Sequence, residues 1–410
     1  MRGFSTRALH GASRGRDPHG SLRVPLYDSV SFEHEDSCSI QQAFEGRRPA
    51  HTYSRISNPT VDHLEQTIRL LSGGMAVLAV SSGMAAIANT ILTLGGTGKN
   101  IVTTRFLFGN TLSLFQKTLS SWGLETRYVS MDNIDEIDRA IDSDTCCVFL
   151  ESITNPQLEV ADCLAISEIT RQHAVPLVLD NTLMTPYLFN SRNNGVDIEI
   201  LSSTKYISGG GTTVGGIIID NGNFDWKQSE KLRPHVLKYG PMTFIGRLRH
   251  EIYRNVGACL SPHNAAMQSL GLETLSLRID KSCSSSLRLA QFLDSHAKVR
   301  TVNYPGLTNS PAHITAQKQF GTRFGGILTF DLADKEQCFR FMDSLHIVKR
   351  ATNVNDNKSL IIHPWSTIFT EYSDEEKHDM GIRPAMLRLA VGIEDTDDLT
   401  NDLNQGLEQL

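Results

Sequence analysis

The seven cysteines of this 410-residue chain form no pattern that would hold a metal ion or a set of disulfides. None stands in a CxxC pair, and an odd number cannot all be paired with one another. The sequence therefore predicts reduced thiols and no metal site. Reduced thiols, together with an N-terminus that has no apolar signal segment, predict a cytoplasmic protein.

The chain also lacks an excess of positive charge and a long apolar run. Its 39 Lys and Arg residues are outnumbered by 45 Asp and Glu residues, so the net charge is −6. Such a chain offers no positive field to nucleic acid or anionic lipid, and no segment resembles a membrane span. We therefore expect small polar molecules as partners, with no nucleic acid and no membrane.

Apolar runs and amphipathic helical patterns alternate regularly between residues 59 and 222. The runs typical of buried strands are MAVLAV, NIVTTRFLF, CCVFLE, VPLVLD, IEILSS and VGGIIID. Short strands that alternate with helices predict βαβ units and a mostly parallel sheet. The stretch NPTVDHLEQTIRLL predicts the first of these helices, with Asn58 as its N-cap and Pro59 in its first turn.

This pattern divides the chain into three parts. Residues 1–58 show little periodicity and are predicted to form an N-terminal arm or extended segment. Residues 59–257 are predicted to form a large α/β domain. Residues 258–410 mix both patterns and predict a smaller α+β domain, near whose start GLETLSLRIDKSCSSSLRLAQFLDSH is expected to form one helix.

Polar residues follow three of the predicted strands. Asp180 ends VPLVLD, Asn155 comes shortly after CCVFLE, and Lys205 follows IEILSS. Ligands of parallel α/β sheets bind beyond the carboxyl ends of the strands, so these side chains are candidates for one site. A further strand turns into a helix at Ser81-Ser82-Gly83-Met84, where free backbone N–H groups suit a phosphate.

A phosphate site, a buried carboxylate and a lysine together fit pyridoxal phosphate. The lysine forms a Schiff base with this cofactor, and an aspartate keeps its ring nitrogen protonated. The glycines at 209–211 leave room for the lysine and a substrate. Each residue alone also has an ordinary interpretation: Lys205 as a solvated side chain, Asp180 as a turn residue, and the Ser-Gly junction as a simple helix start.

The chain resembles the Cys/Met-metabolism family of pyridoxal-phosphate enzymes. The matching motifs, in chain order, are STRALHGA, YSRISNPTVDHLE, SSGMAAI, FGNT, ESITNP, LVLDNTLMTPYL, SSTKYISGG, GLETLSLR, SLIIHP and LRLAVGIED. The resemblance implies an α/β fold, the PLP-dependent transferase fold type I (aspartate aminotransferase-like). It also implies a homo-oligomer, either a dimer or the dimer of dimers common in the family, whose active sites are shared between subunits.

The same resemblance implies a role for each matching residue. Lys205 would hold the cofactor and move protons, and Asp180 would pair with the pyridine nitrogen. Arg388 would clamp the substrate α-carboxylate, with Asn353 beside it, and Asn155 would lie near the phenolic oxygen of the cofactor. The residues expected to bind the phosphate are Ser82, Gly83, Met84, Ser202 and Thr204, with Tyr53 and Arg55 from a neighbouring subunit.

The chain departs from the family pattern at several positions. Phe108 stands where the family has a tyrosine; its ring can stack on the cofactor, but it has no hydroxyl to donate a proton. Asn353-Val354-Asn355 replaces a Ser-Leu-Gly sequence, Ile368 and Phe369 make one wall more apolar, and Gly210 stands where histidine is common.

The loss of the tyrosine hydroxyl favours a leaving group that needs little protonation, such as acetate. We therefore expect γ-replacement on an activated homoserine ester, O-acetyl-L-homoserine, with sulfide or a thiol, which forms homocysteine. The residues of the motifs NKSLIIHP and FGNT most resemble those of the O-acetylhomoserine sulfhydrylase branch of the family. The alternatives are a methionine γ-lyase, a cystathionine lyase, a cystathionine γ-synthase, or a non-catalytic protein on the same fold.

Overall fold

A large mostly parallel sheet forms the centre of the molecule. The computed structural model describes residues 2–12 and 17–410. The strands of the large sheet are β1 (Ala76–Val80), β2 (Asn100–Thr103), β3 (Glu125–Tyr128), β4 (Thr145–Glu151), β5 (Leu177–Asp180), β6 (Ile198–Leu201) and β7 (Gly216–Asp220). Their spatial order is β1-β7-β6-β5-β4-β2-β3. Only β7 runs antiparallel to its neighbours, so the mostly parallel sheet predicted from the sequence is confirmed.

A second, smaller sheet lies in the C-terminal part of the chain. Its strands are β8 (Thr301–Asn303), β9 (Ile327–Asp331), β10 (Lys349–Arg350), β11 (Leu360–Ile362) and β12 (Met386–Ala390). They are ordered β10-β11-β12-β9-β8, and all neighbours except β10 and β11 are antiparallel. This mixture of helices with an antiparallel sheet is what the α+β prediction described.

Helices pack on both sheets. They are α1 (Phe4–His10), α2 (Ser37–Phe44), α3 (Pro59–Ser72), α4 (Gly83–Leu94), α5 (Gly109–Ser113), α6 (Ile134–Ala140), α7 (Cys163–Gln172), α8 (Thr185–Leu188), α9 (Val236–Tyr239), α10 (Thr243–Arg247), α11 (Arg254–Val256), α12 (Pro262–Glu273), α13 (Leu275–Asp294), α14 (His313–Phe320), α15 (Lys335–Ser344), α16 (Asp374–Asp379) and α17 (Thr396–Glu408). None of the helices in residues 2–12 and 17–410 is long and apolar enough to cross a bilayer.

Helix α3 begins as the sequence predicted. The Asn58 side chain accepts a hydrogen bond from the Thr60 N–H, and Pro59 occupies the first turn. The helix ends at Gly73, whose φ of 74° is the left-handed conformation that closes many helices. The side chains that this helix buries in the core include Val61, Leu64, Ile68 and Leu71.

Residues 1–58, predicted to form an arm or extended segment, include two short helices that the sequence reasoning did not predict, and the arm itself stays a prediction. Helices α1 and α2 lie within it, and α1 packs on its own chain rather than standing free. The Arg7 Nη1 donates to the Leu70 carbonyl at 2.6 Å, and the hydroxyls of Ser5 and Ser276 are 2.9 Å apart. The short amphipathic pattern of α1 was missed because a seven-residue helix depends mostly on tertiary contacts. Residues 1 and 13–16 of the arm lie outside the described part.

Two predicted elements have different bounds in the structure. The single helix expected from residue 271 is two helices, α12 and α13, which meet at Thr274, where the backbone leaves helical geometry (φ −109°, ψ 6°). The run NIVTTRFLF is a strand only over Asn100–Thr103. Helix α12 also packs on α3, so residues just beyond the predicted boundary at 257/258 contact the large domain. The division into three parts stays a prediction.

Candidate active site

The carboxyl ends of β4, β5 and β6 meet at one edge of the large sheet, as parallel strands require. Glu151 and Asp180 are the last residues of β4 and β5, and they face each other in the strand register. Lys205 follows β6 by four residues. Lys205 and Asp180 therefore lie at the same edge of the sheet, as the sequence predicted. Glu151 lies at this edge as well, although the sequence reasoning did not select it.

Lys205 is held by a side chain from the segment between β10 and β11. Its Nζ donates a hydrogen bond to the Asn353 Oδ1 at 2.7 Å. Burial, followed by the positive charge of Arg388, lowers the pKa of Lys205 to about 8, while the charge of Asp356 acts in the opposite direction. A lysine amine with such a pKa has a usable uncharged fraction near neutral pH, which a nucleophile or a proton acceptor needs.

Arg388 is a buried cation whose hydrogen bonds all go to neutral oxygens. Its side chain is 2% exposed. The Nη1 donates to the Asn155 Oδ1 at 3.2 Å, and the Nη2 donates to the main-chain oxygens of Thr352 and Asn353 at 3.1 and 3.2 Å. Burial lowers the pKa of Arg388 to about 9.

No carboxylate of the described chain lies within ion-pair distance of this guanidinium, and its Nε has no partner there either. A buried charge without a counter-charge is costly, so Arg388 is suited to an anionic ligand that enters from outside. A guanidinium binds a carboxylate through two parallel hydrogen bonds, which fits the predicted role toward an amino-acid substrate.

Asp180, which is half-buried, and Glu151, which is buried, form an adjacent pair of carboxyls. The Asp180 Oδ1 accepts a hydrogen bond from the Thr182 N–H at 2.9 Å, and burial raises the pKa of Asp180. Burial, and then the charge of Asp180, raise the pKa of Glu151 well above its usual range. Two adjacent carboxyls resist joint ionisation, so a cation beside Asp180 stabilises its charged form. A protonated ring nitrogen is such a cation, and the pair therefore fits the predicted cofactor.

Glu151 also fixes the segment that holds Phe108. Its Oε1 accepts the Phe108 N–H at 2.7 Å, at the start of α5. Glu151 is 6% exposed and ends an otherwise apolar strand, CCVFLE. A single acidic residue at the end of a buried apolar run was the sequence signal that could have identified it. Stacking of Phe108 on the cofactor stays a prediction.

The first turn of α4, with Ser82, Gly83 and Ser202, forms a cradle in which the N–H groups of a helix N-terminus suit a phosphate. The Ser82 hydroxyl caps the helix by accepting the Ala85 N–H at 3.0 Å. A Cβ atom on Gly83 would lie 2.7 Å from the Cβ of Ser202, so only glycine lets the two segments approach. The Ser202 N–H is turned toward the Thr182 hydroxyl at 2.7 Å. Ser82, Gly83 and Ser202 are thus brought together as the sequence predicted.

Two other predicted phosphate ligands make different contacts. The Thr204 hydroxyl donates to the Gly215 carbonyl at 3.2 Å and accepts from the Gly215 N–H at 3.1 Å. This pair of bonds holds the glycine-rich loop at its base. The Thr111 hydroxyl points at the Met84 Sδ at 3.9 Å, so the side chain of Met84 contacts Thr111. The group of Met84 predicted to bind the phosphate is therefore its backbone N–H, which lies in the first turn of α4. The phosphate roles of Thr204 and Met84 stay predictions.

Tyr53 and Arg55 lie together on the arm. The Arg55 guanidinium is 5.4 Å from the centre of the Tyr53 ring, and its Nη1 donates to the Arg254 carbonyl at 2.5 Å. The Tyr53 side chain is 41% exposed. Both are thus held on the outside of this chain, and their contact with a neighbouring subunit stays a prediction.

No group of three or more His, Cys, Asp or Glu side chains in residues 2–12 and 17–410 is arranged to hold a metal ion. The described cysteines are all free thiols.

Replacement of Gly83 by alanine should weaken binding of pyridoxal phosphate to the cofactor-free protein by about tenfold or more, because the new Cβ pushes Ser202 out of the cradle. Gly96→Ala is the matched control, since a Cβ there meets no atom within 4 Å. Fluorescence titration with pyridoxal phosphate measures both affinities. Equal affinities for the two variants would show that the first turn of α4 does not bind the phosphate.

The chain matches one protein family over almost its whole length. Residues 5–408 fit the family described as Cys/Met metabolism PLP-dependent enzyme. The chain is 38% identical to the sulfhydrylase FUB7 of Fusarium oxysporum f. sp. lycopersici, over 99% of this chain and 97% of that protein.

Two solved structures are similar to it as well. A putative O-acetylhomoserine (thiol)-lyase of Campylobacter jejuni, which contains N'-pyridoxyl-lysine-5'-monophosphate, is 34% identical with a TM-score of 0.94 over 99% of this chain and 100% of that one. An O-acetylhomoserine sulfhydrylase of Wolinella succinogenes is 44% identical with a TM-score of 0.80 over the same shares.

These likenesses confirm the family, the fold type and the cofactor that the sequence predicted. The cluster of Lys205, Asp180 and Arg388 and the cradle at Gly83 agree with them independently, because they fit a phosphate-bearing aldehyde and an amino-acid carboxylate. This chain belongs to the Cys/Met metabolism family of pyridoxal-phosphate-dependent enzymes.

Proposed function

We propose that this enzyme replaces the acetoxy group of O-acetyl-L-homoserine by a sulfur nucleophile. The bond between Cγ and the ester oxygen breaks and acetate leaves; a bond between Cγ and sulfide, or a thiol, forms and gives homocysteine or its thioether. The observation that supports this most is that one residue, Asn353, contacts both cations, the half-buried Lys205 and the buried Arg388. Its side chain accepts from Lys205 and its main chain accepts from Arg388. An amino acid whose carboxylate binds Arg388 therefore lies close to the Lys205 amine.

The cofactor and the protein divide the chemistry between them. Pyridoxal phosphate, when bound, supplies the electron sink for the electron pair left by a departing proton. Ser82, Gly83 and Ser202 would hold its phosphate and Asp180 its ring nitrogen. The Lys205 amine would accept the proton from Cα and pass protons at the neighbouring carbons, which its pKa of about 8 suits near neutral pH.

Phe108 supports replacement over elimination of a thiol. Glu151 holds the backbone of Phe108 through a hydrogen bond that does not involve the side chain of residue 108. Position 108 is therefore fixed in the same way whether its ring carries a hydroxyl or not. A leaving acetate is a weak base and departs with little help from an acid, whereas a leaving thiolate gains more from protonation. A site without that hydroxyl favours the ester substrate.

The proposal includes an oligomer, a dimer of dimers, in which Tyr53 and Arg55 complete the phosphate site of a neighbouring subunit. The arm supports this because it exposes several apolar side chains, namely Leu22, Val24, Leu26 and Val30, as surfaces that contact other chains often do. The free thiols of the described cysteines support a reducing compartment, the cytoplasm.

The substrate is tested with the purified, cofactor-loaded enzyme. O-acetyl-L-homoserine, O-succinyl-L-homoserine, L-methionine and L-cystathionine are supplied separately, each with and without sulfide, and homocysteine and 2-oxo acids are assayed. We expect homocysteine from O-acetyl-L-homoserine only when sulfide is present, and none from Lys205→Ala. Fast release of a 2-oxo acid from methionine or cystathionine would instead establish a lyase.

Phe108→Tyr should restore the missing proton donor. We expect it to raise 2-oxo acid release from L-methionine by about tenfold or more, because general acid catalysis of thiolate departure becomes available. Sulfide-dependent homocysteine formation from the ester should change little. Phe106→Tyr, two residues earlier, is the matched control. If both variants release 2-oxo acid at the wild-type rate, the ring at position 108 does not decide between the two reactions.

A further inference from the structure

A carboxylate in the C-terminal domain contacts Lys205 through one intermediate residue. The Asp356 Oδ2 accepts a hydrogen bond from the Asn353 Nδ2 at 3.0 Å, and the Asn353 Oδ1 accepts from the Lys205 Nζ at 2.7 Å. The other oxygen of Asp356 accepts the Lys358 N–H at 3.2 Å, which holds the carboxylate in its loop. The three side chains thus form one continuous chain of hydrogen bonds.

The chemistry of the three groups gives this chain a direction. An amide side chain has an acceptor end and a donor end, and only its partners decide which end points where. A carboxylate has no hydrogen to donate, so the Asn353 NH2 group must face Asp356. The carbonyl oxygen of Asn353 is then turned toward Lys205. In the reversed amide, an N–H donor would face the lysine ammonium, and the hydrogen bond to Lys205 would be lost.

We propose that Asp356 is a positioning residue for Lys205: by fixing the orientation of the Asn353 amide, it holds the lysine amine in one place when that amine is not bonded to the cofactor. The inference rests on the proposed function only for the identity of the reaction, because any proton transfer by Lys205 would use the same arrangement. Asp356 itself contacts neither cofactor nor substrate in this role.

The loop opposite Asp356 is shaped to accept its carboxylate. Gly211 has a φ of 61°, and a Cβ there would lie 2.5 Å from the Asp356 Oδ2. A side chain at position 211 would therefore displace the carboxylate. This gives the glycines after Lys205 a second use beside the space they leave for a substrate.

The charges around the chain of hydrogen bonds favour this arrangement. Asp356 lies in the field of two cations, Lys205 and Arg278. Arg278 is anchored to the Gly271 carbonyl at 2.8 Å and packs against Gly209. On the other side of Lys205, Arg388 lowers the pKa of the lysine amine and Asp356 raises it. The negative charge of Asp356 therefore opposes the effect of Arg388 on the pKa of Lys205.

The reactivity of Lys205 in the full-length, cofactor-free protein tests the proposal without catalysis. Trace labelling with acetic anhydride between pH 6 and 11, followed by mass spectrometry of the Lys205 peptide, gives the pKa of this amine. We expect about 8 in the wild type and a lower pKa in Asp356→Asn, because loss of the fixed acceptor and of a negative charge both disfavour the ammonium. Asp397→Asn, which alters an exposed carboxylate paired with Arg288, should leave the pKa of Lys205 unchanged.

A double substitution separates orientation from charge. If Asp356 acts through the amide, Asp356→Asn changes the Lys205 titration far less in an Asn353→Ala background than in the wild type. An undiminished change in that background, or a wild-type titration in Asp356→Asn, would overturn the proposal. Asn353→Ala alone should also lower the pKa of Lys205, because the acceptor for the lysine amine is removed. This variant tests the hydrogen-bond chain if Asp356→Asn does not fold.

The loaded enzyme provides an independent readout. In homocysteine synthesis we expect Asp356→Asn to lower kcat by about tenfold while the KM for the ester stays within about twofold, since a misplaced base slows proton transfer without weakening the carboxylate clamp. A rise in KM at constant kcat would assign Asp356 to substrate binding and contradict the proposal. If the labelling shift is found but no homocysteine forms in any variant, the positioning role holds and the proposed reaction is wrong.

Discussion

The arrangement of the site depends on the burial of Arg388 among neutral oxygens. The three oxygens that accept from its guanidinium belong to Asn155, Thr352 and Asn353. These contacts join the loop after β4 to the segment before β11, and the same Asn353 contacts Lys205. No carboxylate of the described residues offsets this positive charge, so Arg388 is suited to an anionic ligand, and we propose that this ligand is the substrate carboxylate.

The site has opposite charges on its two sides, and this polarity suits an amino acid bound to a pyridoxal cofactor. Asp180 and Glu151 provide the acidic side at the ends of β4 and β5. Lys205 and Arg388 provide the basic side. Glu151 and Arg388 are buried and Asp180 and Lys205 are half-buried, so their electrostatic effects on a bound molecule are stronger than they would be in water. In the proposed function, the absence of a hydroxyl at Phe108 favours replacement on an ester over elimination of a thiol.

Sequence reasoning found the residues that lie at strand ends, because a buried apolar run followed by a polar residue is a local signal. Lys205, Asp180 and Asn155 were predicted in this way, and the family motifs added Arg388. Glu151 and Asp356 were not found as site residues. Glu151 gains its importance from strand pairing with Asp180, and Asp356 meets Lys205 only because two distant segments of the chain fold together. The contact of Asp356 has no local pattern, whereas Glu151 had a local signal, an acidic residue at the end of a buried apolar strand, that the sequence reasoning did not use. Helix α1 was not predicted because a seven-residue helix depends mostly on tertiary contacts.

The most direct test of the proposed role of Arg388 is to measure how tightly L-norleucine binds to the cofactor-loaded enzyme. This amino acid has an α-carboxylate and an amino group but no leaving group. Changes in the visible absorption of the bound cofactor report its dissociation constant. We expect Arg388→Gln to raise the dissociation constant of L-norleucine by about tenfold or more, because charge-assisted hydrogen bonds to the carboxylate are lost. Arg383→Gln, which alters an arginine paired with Asp331, should leave it unchanged. Equal dissociation constants for the two variants would show that the buried cation at position 388 does not bind the substrate carboxylate.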